Sequence, residues 1–177
     1  MKRKERKLKM FYKISFFIGL IPMIWQIKIY RQTFIDFKLL LAIVLIIGFL
    51  TMFFSLKDFQ ELFAYKHKAM LYFMTFIQTT ISWGFLSCSI FMFSNYYLAN
   101  NESIKETYEI VERSSLAGSK YRRNERKPTF RILYKGKLKE LVFRHKYYSK
   151  METYKKIELE VKRGFWGYDL LLNQELK

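Results

Sequence analysis

The sequence predicts a membrane protein, with N-terminal transmembrane α-helices followed by a small all-β domain of barrel or sandwich type. The helices number three, or two plus an interfacial segment. Three observations lead there. Charge is uneven: residues 11–100 hold only seven Lys/Arg and three acids, while residues 101–177 hold 19 Lys/Arg and 11 acids. Residues 1–10 add six Lys/Arg against one acid, so an apolar body lies between two basic ends. Long uncharged runs fill that body, and beyond residue 101 the hydrophobic spacing becomes the alternation of strands. A net charge of +17 directs attention to a membrane or a nucleic acid, and the apolar body favours the membrane. The organisation read this way is a basic cytoplasmic N-terminus (1–10), a helical membrane region (11–100) and a small antiparallel β-domain (101–177).

The spans are expected at about 8–30, 36–56 and 69–98. The third is the clearest, with no ionisable charge over 30 residues, where a hydrocarbon core of ~30 Å needs only ~20. The second, "LLLAIVLIIGFLTMFFSL", is an 18-residue uncharged run between Lys38 and Lys57. The first is short: Lys13 and Lys28 enclose only 14 residues. It becomes a span if both lysines snorkel and Trp25 and Tyr30 sit at one interface; otherwise it is interfacial. Pro22 is tolerable in a membrane helix. "KIYRQTF" lacks the small residues of a cleavage site, so an uncleaved anchor is expected. The basic start places the N-terminus in the cytoplasm. Three spans then export the tail across what is read as a bacterial cytoplasmic membrane, and two return it to the cytoplasm. Export is the favoured reading.

The third span carries two faces of small and polar residues. Thr75, Gln78, Ser82 and Ser89 follow one side, while Thr80, Gly84, Ser87 and Cys88 gather on another. Such faces bring helix backbones close, either within the chain or against a membrane-protein partner or a second copy. Cys88, the only cysteine, is read as a packing residue. Residues 57–68 are expected to form a short interfacial helix, with His67 an exposed flank residue.

In the tail, "TYEIVE", "TFRILY", "LKELVFRH", "KKIELEVKR" and "YDLLLNQEL" read as five strands. Gly136 supplies the positive φ of a tight hairpin between the second and third. Residues 146–154 break the alternation, and their aromatic spacing allows a short helix plugging one end. The layout is loosely similar to membrane-anchored barrel proteins of bacteria, but no motif singles out a family and no functional residue is carried over.

Chemistry is harder to find. No P-loop, dinucleotide fingerprint, zinc-protease motif or Cys/His pair occurs, so no enzyme, cofactor or metal is implied. His145, the tail's one histidine, would need a matched carboxylate or nucleophile beside it, and the spacing of Glu152, Glu158 and Asp169 does not provide one. "GFWGYD" is the most site-like stretch. Phe165, Trp166 and Tyr168 beside two glycines suit either an aromatic contact platform or a hairpin packed into the barrel or the lipid headgroups. The basic loop "SKYRRNERKP" presents Lys120, Arg122, Arg123, Arg126 and Lys127 to an anionic lipid, a polymer or an acidic partner; nucleic acid is disfavoured. The functional expectation is a non-enzymatic anchoring or interaction protein presenting its β-domain at the bilayer surface. The alternative is a binder of anionic lipid or polymer through that loop. A channel or transporter subunit ranks lower, because no charged residue lies deep in a span.

Overall fold

A computed structural model describes residues 2–63, 65–118 and 125–177. Three long helices come first: α1 (Lys2–Gln32), α2 (Phe37–Phe63) and α3 (Lys68–Tyr97). All three are long and apolar enough to cross a membrane. α1 runs unbroken through Lys13 and Pro22. It is therefore far longer than the 14-residue uncharged run inside it. α2 continues to Phe63, so residues 57–63 extend that helix instead of forming a separate interfacial one. His67 is exposed at the start of α3.

The helices pack through glycines and short polar side chains. Gly19 of α1 lies against the α3 backbone, where an added Cβ would sit 2.0 Å from the Ile81 carbonyl oxygen. At Gly48 of α2 a Cβ would meet Thr80, and at Gly84 of α3 it would meet the Val44 carbonyl at 2.5 Å. Without Cβ atoms the backbones approach closely, which is how helices associate where no hydrophobic drive separates them from lipid. At this crossing α3 contains a π-turn, Thr80–Gly84, closed by the Phe85 N–H donating to the Thr80 carbonyl. Large apolar side chains face outward from all three helices: Ile21, Trp25, Phe49, Phe53 and Phe73 are exposed, and Phe54 is 86% exposed.

The chain divides into two compact units. One holds residues 1–30 and 35–98, the other residues 31–34 and 99–177. The short link between α1 and α2 thus belongs to the β unit, a placement no composition shift announces.

The β unit is one antiparallel sheet of five strands: β1 (Ser103–Leu116), β2 (Lys127–Tyr134), β3 (Lys137–Val142), β4 (Lys156–Arg163) and β5 (Asp169–Leu176). Their order is β3-β2-β1-β4-β5. The long β1 serves two ladders. Its first half pairs with β4 (Tyr108↔Ile157) and its second half with β2 (Arg113↔Phe130), with a register shift between Ile110 and Glu112. A bulge of that kind bends a strand and increases its twist, and here it curls the sheet into a half-barrel. The barrel- or sandwich-like domain expected from the strand count is thus present in a coarser form, an open, curled half-barrel with β3 and β5 at its edges among the described residues. The β2–β3 hairpin turns at Lys135 and Gly136, both at positive φ (46° and 76°). Phe130, Ile132 and Tyr134 point inward from β2 and join Leu141, Ile157, Leu159 and Leu171 in one core. Residues after β3 form a short 3-10 turn, His145–Tyr147, and send Tyr147, Met151 and Tyr154 onto that core.

Candidate functional site

The strongest concentration of buried polar groups in the β unit lies where the α1–α2 link meets β5. Thr33, fully buried, bridges Leu170, and the Phe34 N–H donates to the Asp169 carbonyl at 2.8 Å. The Phe34 ring meets the Tyr134 ring edge-on at 4.7 Å and packs against the sheet core. From the opposite edge of the sheet, Lys139 of β3 donates through Nζ to the Thr33 carbonyl at 2.7 Å. Residues 33 and 34 thus act as a sixth, very short stave between the two edges of the half-barrel.

Asp169 organises the polar side of this junction. Its carboxylate is buried and accepts the Tyr134 hydroxyl at 2.8 Å and Lys135 Nζ at 2.5 Å. Burial first, then the Asp169 carboxylate, hold the Tyr134 phenol above its ordinary range. Tyr108, 5.5 Å from the Tyr134 ring, donates to Glu106, and burial again is the main cause of its raised pKa. These phenols are therefore protonated hydrogen-bond donors over the physiological range.

Lys139 behaves in the opposite sense, since burial pulls it down to about 8. An unfolded lysine keeps its proton to about pH 10.4. Between those values the unfolded chain binds the extra proton, so stability rises with pH. The unfolding free energy measured in detergent should climb from pH 7.5 to 9.5, on the order of 1–2 kcal/mol after solvent screening, and Lys139→Met should remove that climb.

The aromatic turn sits at the same end of the β unit. Gly164 donates to the Tyr168 carbonyl and Gly167 (φ 84°) donates to Gly164, so both glycines shape the turn. Asn100, two residues beyond the helical unit, donates to the Arg163 carbonyl just before it. Phe165 and Trp166 stack edge to face at 4.9 Å and are 54% and 52% exposed. They do not pack into the sheet, whereas Tyr168 is half-buried. Of the two sequence readings of this turn, burial in the barrel is excluded for Phe165 and Trp166.

The two faces of the third helix are both used inside the chain. Toward α1, the Gln78 amide donates to the Tyr12 carbonyl at 2.8 Å, Ser82 meets Ser15 at 3.3 Å, and Ser89 donates to Gln26 at 2.9 Å. Gln26 in turn donates to Cys88 Sγ at 3.0 Å, and Thr75 bonds back to the Leu71 carbonyl. Toward α2 lie Thr80 and Gly84, joined by Thr79, which donates to the Gly48 carbonyl at 2.9 Å. Ser87 is half-buried. Contacts within the chain thus account for both faces, which then carry no argument for an outside partner. The α1 partners Tyr12, Ser15 and Gln26 were not singled out in the sequence. Their signal was polar residues on one side of a short apolar run.

Of the basic loop, Lys120, Arg122 and Arg123 lie outside the described residues. Lys127 opens β2 opposite Leu116, so the loop joins β1 to β2, and Arg126 reaches the Tyr148 hydroxyl at 3.5 Å. His145 is exposed, contacts the Arg126 carbonyl through Nδ1 at 2.7 Å and stacks on Tyr148. Glu152, Glu158 and Asp169 are engaged elsewhere, with Arg113, with Lys105 and Lys177, and with Tyr134 and Lys135. No group of His, Cys, Asp and Glu able to hold a metal occurs among the described residues. No family model matches the chain, and no curated protein or solved structure matches it.

Proposed function

We propose that the chain is a three-span membrane protein whose non-enzymatic role is to hold a small curled sheet against the outer surface of a cytoplasmic membrane, as an anchoring or interaction module. The observation that carries this reading is the pairing of Thr33 with Leu170. It supports a reading in which the α1–α2 link and the β unit share one side of the bilayer.

The remaining support is geometric and electrostatic. α1 stays beside α3 from Tyr12 to Gln26, ~21 Å of helix, which favours a full crossing over an interfacial rest. Tyr12 donates to Asp58 near the end of α2, so the N-terminus and residues 57–68 share one end of the helical unit. That end carries ten Lys/Arg in residues 2–13 and 57–68, against three in the link 28–38. The positive-inside rule counts Lys and Arg in short loops, so the N-terminal end is cytoplasmic and the β unit is exported. Phe165 and Trp166, exposed at the end of the β unit where the chain enters from the helices, suit the headgroup layer.

Impermeant maleimide labelling of intact cells tests the arrangement, with Cys88→Ala as the background. A cysteine at Lys150→Cys should label in intact cells. One at Lys4→Cys should label only after lysis. The reverse pattern would place the β unit in the cytoplasm, and labelling of both in intact cells would remove the three-span reading.

A further inference from the structure

The cytoplasmic end of the helical unit contains a cleft that none of the sequence motifs indicates. It has a volume of about 470 Å³ and is bounded by all three helices. Phe16 of α1, Phe59 and Phe63 of α2 and Ile77 of α3 give it an apolar wall. The charged groups lining it are Lys9 and Lys13, and no acid lines it among the described residues. Lys9 Nζ lies 5.9 Å from the centre of the Phe63 ring, a cation–π contact that ties its ammonium to the cleft wall. Asp58 accepts the hydroxyl of Tyr12, which lines the cleft, and Gln78 is committed to the Tyr12 carbonyl and Ser82.

The two lysines are one turn apart on α1, at i and i+4, so their ammonium groups lie on the same face. Three and four residues further on, Phe16 and Phe17 carry the same cleft deeper along the helix. The cleft thus has a doubly cationic rim at one end and hydrocarbon-lined depth at the other. A buried water-soluble anion would leave the aromatic walls unmatched. A neutral lipid would leave the two ammonium groups without a counter-charge. A molecule with a phosphate and an acyl chain satisfies both, and the volume falls within the ~300–1,000 Å³ common for ligand sites.

We propose that this cleft binds one anionic phospholipid from the cytoplasmic leaflet, with the phosphate between Lys9 and Lys13 and an acyl chain along Phe16, Phe59 and Ile77. The site rests on the three-span reading, which places these lysines at headgroup depth. It differs from the basic loop between β1 and β2, which lies in the other unit.

The test uses the full-length protein in mixed micelles, with phosphatidylglycerol and phosphatidylcholine of identical acyl chains as probes. Native mass spectrometry should retain one phosphatidylglycerol per chain in preference to phosphatidylcholine. Near an anionic surface each lysine contributes ~1 kcal/mol, so Lys9→Gln with Lys13→Gln should weaken retention by about tenfold or more. Lys4→Gln with Lys7→Gln, equal in charge change but away from the cleft, should leave it intact. Ile77→Trp, which fills the cleft and keeps every charge, should also abolish retention. Equal retention of both lipids by the wild type, or equal loss in the Lys4/Lys7 variant, would overturn the site. Release of the chain from membranes by alkaline carbonate would overturn the three-span reading and the site with it. Retention in the membrane without lipid preference would overturn the site alone.

Discussion

Replacing Gly19 with valine should destroy the packed helical unit. A single added Cβ at this position would lie 2.0 Å from the Ile81 carbonyl oxygen, 2.5 Å from the Ser82 carbonyl oxygen and 2.8 Å from Ser82 Cα. All three neighbours are backbone atoms, so no side-chain rotation relieves the clash. The helices must separate instead. Separation would lengthen the Ser15–Ser82 contact one turn away and the Gln78–Tyr12 contact beyond it. Overpacking a core typically costs ~1–3 kcal/mol, and a clash confined to backbone belongs at or above the top of that range. Gly19→Ala should already lower the thermal midpoint in detergent, and Gly19→Val should leave little folded protein to measure. Gly48→Ala should be milder but still costly, because Thr80 Oγ1, at 2.4 Å, can turn away while the Thr80 Cα, at 2.8 Å, cannot. An unchanged midpoint in Gly19→Ala would mean that α1 does not cross α3 at this point.

The same contact explains why parts of the architecture could be read from the sequence and others could not. An uncharged run needs only composition to be recognised, so α3 was legible within a residue at each end and α2 at its start, while its charged last two turns were not. The small and polar faces of α3 were legible too, since period and residue type together mark them. What they face was not. Gly19, Gly48 and the polar partners Tyr12, Ser15 and Gln26 lie on other helices, and which helix meets which is decided by packing in three dimensions. The π-turn at Thr80–Gly84 likewise has no local sequence signal. In the β unit, alternation gave the strands, and Gly136 gave the β2–β3 turn. A barrel-like sheet was legible, and how far it closes was not, because strand number alone does not fix curvature. Here the sheet carries register shifts in β1 and in the β4–β5 ladder, and residue 33 bridges to β5. That bridge was invisible because "RQTF" reads as an ordinary polar link between two apolar helices. Asp169 was noted in the sequence only as a carboxylate for a catalytic histidine. Its actual partners, Tyr134 and Lys135, lie 35 and 34 residues away.

Removing the Asp169 side chain should loosen this junction more than any other single polar change in the β unit. In Asp169→Ala the Tyr134 hydroxyl loses its acceptor while the residue stays fully buried. A buried donor left without a partner costs ~1–3 kcal/mol. Lys135 adds little to that, because its side chain is 63% exposed and water can take the place of the carboxylate. The backbone bond from Phe34 to the Asp169 carbonyl survives the substitution, so the link should weaken without detaching. Tyr134→Phe separates the hydrogen bond from general damage. If the bond is what matters, Asp169→Ala should cost much less in the Tyr134→Phe background than alone, a coupling of ~1–2 kcal/mol in a double-mutant cycle. Alkaline pH offers an independent reading of the same bond. Tyr134 is held above its ordinary range by burial and by Asp169, so above about pH 10 the unfolded chain loses a proton that the folded chain keeps. Stability is therefore fully present below that pH and falls as pH rises beyond it. Tyr134→Phe should make the fall shallower, leaving the part owed to Tyr108. Additive costs in the cycle, together with an unaltered alkaline limb, would show that Asp169 holds the stave through its backbone alone.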